Sequence, residues 1–123
     1  MSPKIKSFTQ LIAWQKAHSL VIDMYSIIKD NFPIEEKYGL SDQMRRASIS
    51  IFSNIAEGFS RKSLKDKSHF YYIALGSLTE LQNQLLISRD LSYINNERFK
   101  ELANKTVEVN KLINSLIKGL SSS

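Results

Sequence analysis

The sequence predicts an all-α fold, an up-down-up-down antiparallel four-helix bundle, on three observations. Apolar residues recur at three- and four-residue spacing through four long segments. Residues that punctuate β-rich chains are scarce, with 4 Gly and 2 Pro in 123 residues. The connections are short, which sets consecutive helices antiparallel. Helices are expected over residues 8–31, 41–61, 64–91 and 96–119. Residues 1–123 should form one domain, because a chain of this length supports one core.

The first helix is expected to start at Ser7, where Ser7 and Gln10 have the spacing of a capping box. Leu11, Trp14, His18, Val21, Tyr25, Ile28 and Phe32 form one seam, and Ala13, Ala17, Leu20, Met24 and Ile27 form a second beside it. Two adjoining seams imply contact with more than one helix. Pro33 disfavours helix at Phe32, so the helix should end near Asn31, with a turn through Glu35 to Gly39.

Ser41 is the expected N-cap of the second helix, with Asp42 favourably placed at the positive end of the helix dipole. Leu40, Met44, Ala47, Ile49, Ile51, Phe52, Ile55, Ala56 and Phe59 sweep about half the circumference, more than a bundle helix with one solvent face needs. Arg46, Ser50, Ser53, Asn54, Glu57 and Arg61 occupy the remaining face, whereas Arg45 falls on the apolar side and needs a partner or a route to water. Ser63 and Asp66 again have capping-box spacing, placing the third helix from Leu64. Phe70, Ala74, Ser77, Leu81 and Ser88 make one line and Tyr71, Leu75, Leu78 and Leu85 another; the small residues Ala74, Gly76 and Ser77 predict a close helix approach there. The fourth helix has an Asn cap and Glu97 in its first turn, and Phe99, Leu102, Thr106, Val109, Ile113, Leu116 and Leu120 make a bundle seam. Gly119 and the serines at 121–123 should end it.

Several function classes fall away on composition. No cysteine means no disulfide framework and no thiolate metal site. Residues Met1 to Lys6 lack the apolar run of a secretion signal, and charged or amide side chains interrupt every hydrophobic segment, so a cytoplasmic protein is expected. His18 on the first seam is expected to be half-buried and hydrogen-bonded to a neighbouring helix. His69 and Glu80 share a helix face but stand about 16 Å apart along the axis, too far to ligate one metal. No metal, no cofactor and no catalytic residue is predicted. No phosphate loop or nucleophile elbow is present, and Glu57 and Glu80 are expected to pair with Arg45 or Arg46 of an adjacent helix or subunit rather than act as acids.

The charge is more informative. The net charge of +5 favours an anionic partner, nucleic acid ahead of acidic protein or membrane. In an up-down bundle one end collects Lys4, Lys6, Arg61, Lys62, Lys65, Lys67 and Lys118, seven of the 17 basic residues. Lys65 and Lys67 also stand in a helix's first turn, where the dipole disfavours cations and a ligand phosphate would relieve the penalty.

Gln43 to Ala47, Ser48-Ile49, Asn54-Ile55-Ala56-Glu57-Gly58, Arg61 and Ala74 to Leu81, with Trp14, Ala17, Tyr25 and Phe32-Pro33, resemble the four-helix-bundle family encoded by intervening sequences of bacterial 23S rRNA genes. The likeness runs from about Phe8 to Leu120, with Phe52 where relatives often have proline. The chain is similar too to the accessory protein of diversity-generating retroelements. These resemblances imply a homo-oligomer, pentameric in known members, with nucleic-acid binding expected and no established enzyme activity. They agree with the surplus apolar surface of helices one and two. The expected function is RNA or DNA binding by a homopentameric, non-enzymatic bundle through its basic end; the alternative is a scaffold recruiting a protein partner such as a nucleic-acid enzyme. Phe52 and Phe59 are the expected interface anchors, and Arg45, Arg46, Asn54, Glu57 and Glu80 the expected helix-to-helix or subunit-to-subunit polar network.

Overall fold

A computed structural model describes residues 4–121. A 3-10 turn at Phe8–Gln10 leads into α1 (Ile12–Asn31); a second at Ile34–Glu36 leads into α2 (Leu40–Ser60), followed by α3 (Leu64–Asp90) and α4 (Asn96–Ser121). Each helix packs on its sequence neighbours, and α1 meets α4 to close the bundle. Met1 to Pro3, Ser122 and Ser123 lie outside the described residues.

The capping signals are real, but two of them do other work than expected. Ser7 and Gln10 form the box, with Gln10 Oε1 accepting the Ser7 amide at 3.1 Å and Ser7 Oγ accepting the Thr9 amide at 3.2 Å. The box closes a single 3-10 turn, after which Leu11 steps out to φ −72°, ψ 128° and buries its side chain before α1 begins at Ile12. Ser41 is not the N-cap of α2. The Glu36 carboxylate accepts the Leu40 amide at 3.3 Å and Gly39 takes the cap position, leaving Ser41 buried in the first turn. Ser63 caps α3 by accepting the Asp66 amide at 3.0 Å, and Asn95 Oδ1 accepts the Arg98 amide at 2.8 Å at the start of α4. Gly119 does not stop α4, which continues to Ser121.

Leu20 and Met24, Met44, Ile51 and Ile55, Leu78, Leu81 and Leu85, and Leu102, Val109 and Ile113 bring all four helices into one buried core. Both α1 seams reach the core, with Ala13, Ala17, Leu20, Met24 and Ile27 of one and Leu11, Val21 and Ile28 of the other buried, whereas His18 and Tyr25 of the second seam are exposed along the edge shared with α2. The close approach of α2 and α3 is made in part where expected, with Ala74 buried and Ser77 sharing a 2.7 Å hydrogen bond with Ser50 of α2. Gly76 is exposed with open space around it, while a Cβ at Gly58 would lie 2.6 Å from the Tyr71 ring.

The loop between α1 and α2 is tied to the α3–α4 turn by the Tyr93 hydroxyl, which donates to Glu36 Oε2 at 3.0 Å. This bond raises the Tyr93 pKa above the ordinary tyrosine value, with burial and the Glu36 and Glu35 charges adding to it; burial alone raises that of Tyr71. Raised folded-state values favour the neutral phenols, so their stabilisation is complete below about pH 10 and is lost as pH rises through the folded pKa. Urea unfolding at about pH 9 and pH 11 should show stability falling at the higher pH, and falling less in Tyr93→Phe.

Candidate functional site

The antiparallel packing gathers the start of α1, the end of α2, the start of α3 and the end of α4 at one end of the bundle. Lys105 to Asp23 at 2.6 Å and Lys16 to Glu108 at 3.3 Å fix α4 antiparallel to α1, while the Trp14 and Phe52 rings, 5.9 Å apart, set the end of α2 beside the start of α1. The seven predicted basic residues therefore share that end, but they are not equivalent.

Arg61 pairs with Glu57 at 2.6 Å and lies 4.7 Å over the Phe70 ring. Lys67 reaches back across the α2–α3 turn and donates to the carbonyl of Phe59 at 2.6 Å and of Gly58 at 3.4 Å. These carbonyls are among the last four of α2, which have no partner within their own helix, so Lys67 acts as a C-terminal cap. The same ammonium lies 5.4 Å over the Phe59 ring. Lys118 stands in the last turn of α4 and has an interaction of its own within the chain. Lys4, Lys6, Lys62 and Lys65 are exposed and form no ion pair among the described residues. Of the seven, these four are the ones available to an outside anion.

The polar line of α2 divides in the same way. Asn54 Nδ2 donates to the Ser50 carbonyl at 2.8 Å and to Ser50 Oγ at 3.1 Å, and Ser50 shares a 2.7 Å hydrogen bond with Ser77 of α3. Arg46 and Glu57 stand outside this link: Arg46 pairs with Asp42 at 2.9 Å, and Glu57 with Arg61. The expected pairing of Glu57 or Glu80 with Arg45 or Arg46 does not occur within the chain. For Arg46 and Glu57 an opposite charge four residues away on the same helix, Asp42 and Arg61, is within reach and takes the charge first. Arg45 is left with the Lys37 carbonyl at 3.3 Å and the Tyr25 ring at 5.9 Å. Glu80 accepts only from Gln84 Nε2, at 3.3 Å.

His18 differs from expectation too. It is exposed and stacks on Trp14 with ring centroids 5.0 Å apart and planes 13° from parallel, extending an aromatic cluster of Phe8, Trp14 and Phe52. Phe52 and Phe59 both pack partly buried against the core. His69 lies edge-on to Phe70 at 5.3 Å, and among the described residues no group of three or more His, Asp or Glu is placed to hold a metal ion. Among the same residues no helix is long and apolar enough to cross a membrane.

Sequence reasoning missed the Lys67 cap, the Tyr93–Glu36 tie and an isolated amide oxygen on Gln84, which is buried and has no hydrogen-bond partner. The only forewarning of the last was a glutamine between Leu81 and Leu85, at core spacing on α3.

The sequence matches the 23S rRNA-intervening sequence protein family over residues 9–115, a span that includes α1, α2 and α3 whole and most of α4. Among solved structures, a protein of unknown function from the S23 ribosomal protein family of Bacteroides thetaiotaomicron is similar, with 26% sequence identity and a TM-score of 0.80 over 87% of this chain and 99% of that one. No curated protein matches the sequence. With four antiparallel helices, the N-I-A-E-G segment on α2 and the G-S-x-x-E-L segment on α3 all in place, the chain belongs to the 23S rRNA-intervening sequence protein family.

Proposed function

We propose that this protein is a homo-oligomeric, non-enzymatic bundle, pentameric as its resemblances imply, that binds RNA or DNA phosphates through its basic end. The observation that carries this reading is the division of the cations: Arg61 and Lys67 are spent on the fold, whereas Lys4, Lys6, Lys62 and Lys65 are exposed without ion pairs among the described residues. Repeated around a symmetric oligomer, four such lysines per copy make a strong field that neutralises phosphates with little reading of base sequence.

Salt-titrated binding to short RNA and DNA tests it. Lys62→Ala with Lys65→Ala should weaken binding and flatten the plot of log affinity against log salt by about 0.7 to 0.9 for each phosphate no longer neutralised. Arg61 and Lys67 stay in place, so a fold defect cannot imitate the result. An unchanged slope would remove the basic end from the reading.

One observation favours a protein partner as well. Ile34 and Tyr38 are 76% and 86% exposed on the α1–α2 loop, at the end opposite the lysines. A scaffold using both ends would retain a protein partner from native lysate after nuclease treatment; loss of that partner on nuclease treatment leaves nucleic acid as the ligand.

A further inference from the structure

We infer that the groove between the end of α1, the α1–α2 loop and the start of α2 binds a small phosphomonoester, whose phosphate meets Arg45, Lys29 and Lys37 and whose apolar body rests on Phe32, Pro33 and Ile34. The groove lies at the opposite end of the bundle from Lys62 and Lys65 and does not depend on the nucleic-acid reading. It encloses about 230 Å³, and these side chains line it together with Ser41. Charge decides the class of ligand, because none of the lining residues is acidic. Lys29 and Lys37 form no ion pair among the described residues. Arg45 has only the Lys37 carbonyl at 3.3 Å and the Tyr25 ring at 5.9 Å, which leaves most of its N–H donors open. The acids of the same segment do not offset these cations. Glu36 accepts the Leu40 amide at 3.3 Å and the Tyr93 hydroxyl at 3.0 Å, Asp42 pairs with Arg46 at 2.9 Å, and Asp30 and Glu35 are exposed outside the groove lining. The helix ends that meet here carry opposite dipoles, with Lys29 in the last turn of α1, so the side chains set the sign of the field.

Ser41 is an independent sign of a ligand. It is 2% exposed, and its hydroxyl makes no hydrogen bond among the described residues. A serine near a helix start can bond back to a carbonyl one turn earlier, but the Lys37 carbonyl receives the Arg45 guanidinium instead. The Gln84 oxygen is the one fully enclosed polar side-chain atom without a partner among the described residues, so the Ser41 hydroxyl keeps an opening, and it opens into the groove it lines. A free donor therefore stands beside three cations. A phosphomonoester fits this set better than a carboxylate does. Its terminal oxygens carry close to two charges at neutral pH and accept from several directions, whereas a carboxylate offers a single charge and two oxygens in one plane. The planar fork of Arg45 can take two phosphate oxygens, and the flexible lysines and the hydroxyl can reach the remaining lone pairs. Beyond the phosphate the groove has room for a ring or a short chain, and its wall there is apolar.

Calorimetric titration of the full-length protein with phenyl phosphate tests the site, with inorganic phosphate, benzoate and phenol as comparators and circular dichroism to confirm the fold of each variant. Phenyl phosphate should bind saturably and about tenfold or more tighter than any of the three. Arg45→Gln and Lys37→Gln should each weaken it about tenfold, whereas Lys111→Gln, which removes the same charge from an exposed position on α4, should leave it unchanged. Ser41→Ala should weaken binding with the thermal midpoint unchanged or raised, because a buried hydroxyl without a partner adds nothing to the fold. A lowered midpoint with unchanged affinity would make that hydroxyl a structural donor and overturn its part in the site. No saturable binding at about 10 mM phenyl phosphate overturns the site as a whole. So does an equal loss in Lys111→Gln, which would reduce the effect to net charge. Benzoate or inorganic phosphate binding as tightly as phenyl phosphate overturns the assignment of the ligand class.

Discussion

Replacing Gly58 by alanine is expected to lower the stability of the folded chain by about 1–3 kcal/mol, against the usual direction for a helix interior. At an unconstrained helical site, alanine stabilises relative to glycine by about 1 kcal/mol, because the unfolded chain loses conformational freedom. Gly58 is not such a site. A Cβ there would meet Tyr71 Cε1 at 2.6 Å, Tyr71 Cδ1 at 2.7 Å and the Lys67 carbonyl at 3.2 Å. Tyr71 is itself buried, so its ring cannot swing into solvent, and the Lys67 carbonyl belongs to α3. The methyl group must therefore push α2 and α3 apart at the point where Lys67 reaches the Gly58 and Phe59 carbonyls, loosening that cap as well. Gly76 is the internal control: nothing lies within 4 Å of a Cβ there, and Gly76→Ala should stabilise by about 0.5–1 kcal/mol. Urea unfolding of both variants, with unchanged m-values, measures the contrast. Equal gains at both positions would mean that the Tyr71 ring moves aside at no cost.

How much of this could be read from the sequence follows the range of each interaction. The Ser63 cap, the Asn95 cap and the α4 seam are local, depending on residues within about one turn, and all stand where expected. Ser41 failed as a cap because Glu36, four residues before the helix start, supplied the acceptor first. Both α1 seams were visible as periodicity, but the direction of the core depends on where α2 and α4 sit, which periodicity does not contain. The basic end followed from topology alone. The split between structural and available lysines did not, because the reach of Lys67 to the α2 carbonyls is set by the angle of the α2–α3 turn. Gln84 marks the same boundary, since whether a buried amide is satisfied depends on neighbours that only the packed bundle specifies.

Phe52→Asp is expected to unfold the chain rather than only separate copies of it. The sequence placed Phe52 on an apolar sweep too wide for one monomer, and a subunit interface was the natural use for it. The structure occupies that ring within the chain: its centroid lies 5.9 Å from Trp14 and 5.8 Å from His18, and it packs against the core. Aspartate has no ring to pack there and places a carboxylate among aromatic groups that offer it no hydrogen-bond donor beyond an imidazole or indole edge. Full burial of a phenylalanine is worth about 3–5 kcal/mol on truncation, so a partly buried one with an added charge should cost about 2–4 kcal/mol. For a domain of this size that lowers the thermal midpoint by roughly 10–20 °C. Ser53→Asp, on the exposed side of the same helix, separates the charge from its burial and should leave the midpoint nearly unchanged. Thermal melts followed by circular dichroism, with light scattering at the same concentration, decide between the two uses of Phe52. A Phe52→Asp protein that keeps its midpoint yet runs as a monomer would return this residue to a subunit interface; a collapsed midpoint leaves it as the side chain that holds the start of α1 against the end of α2.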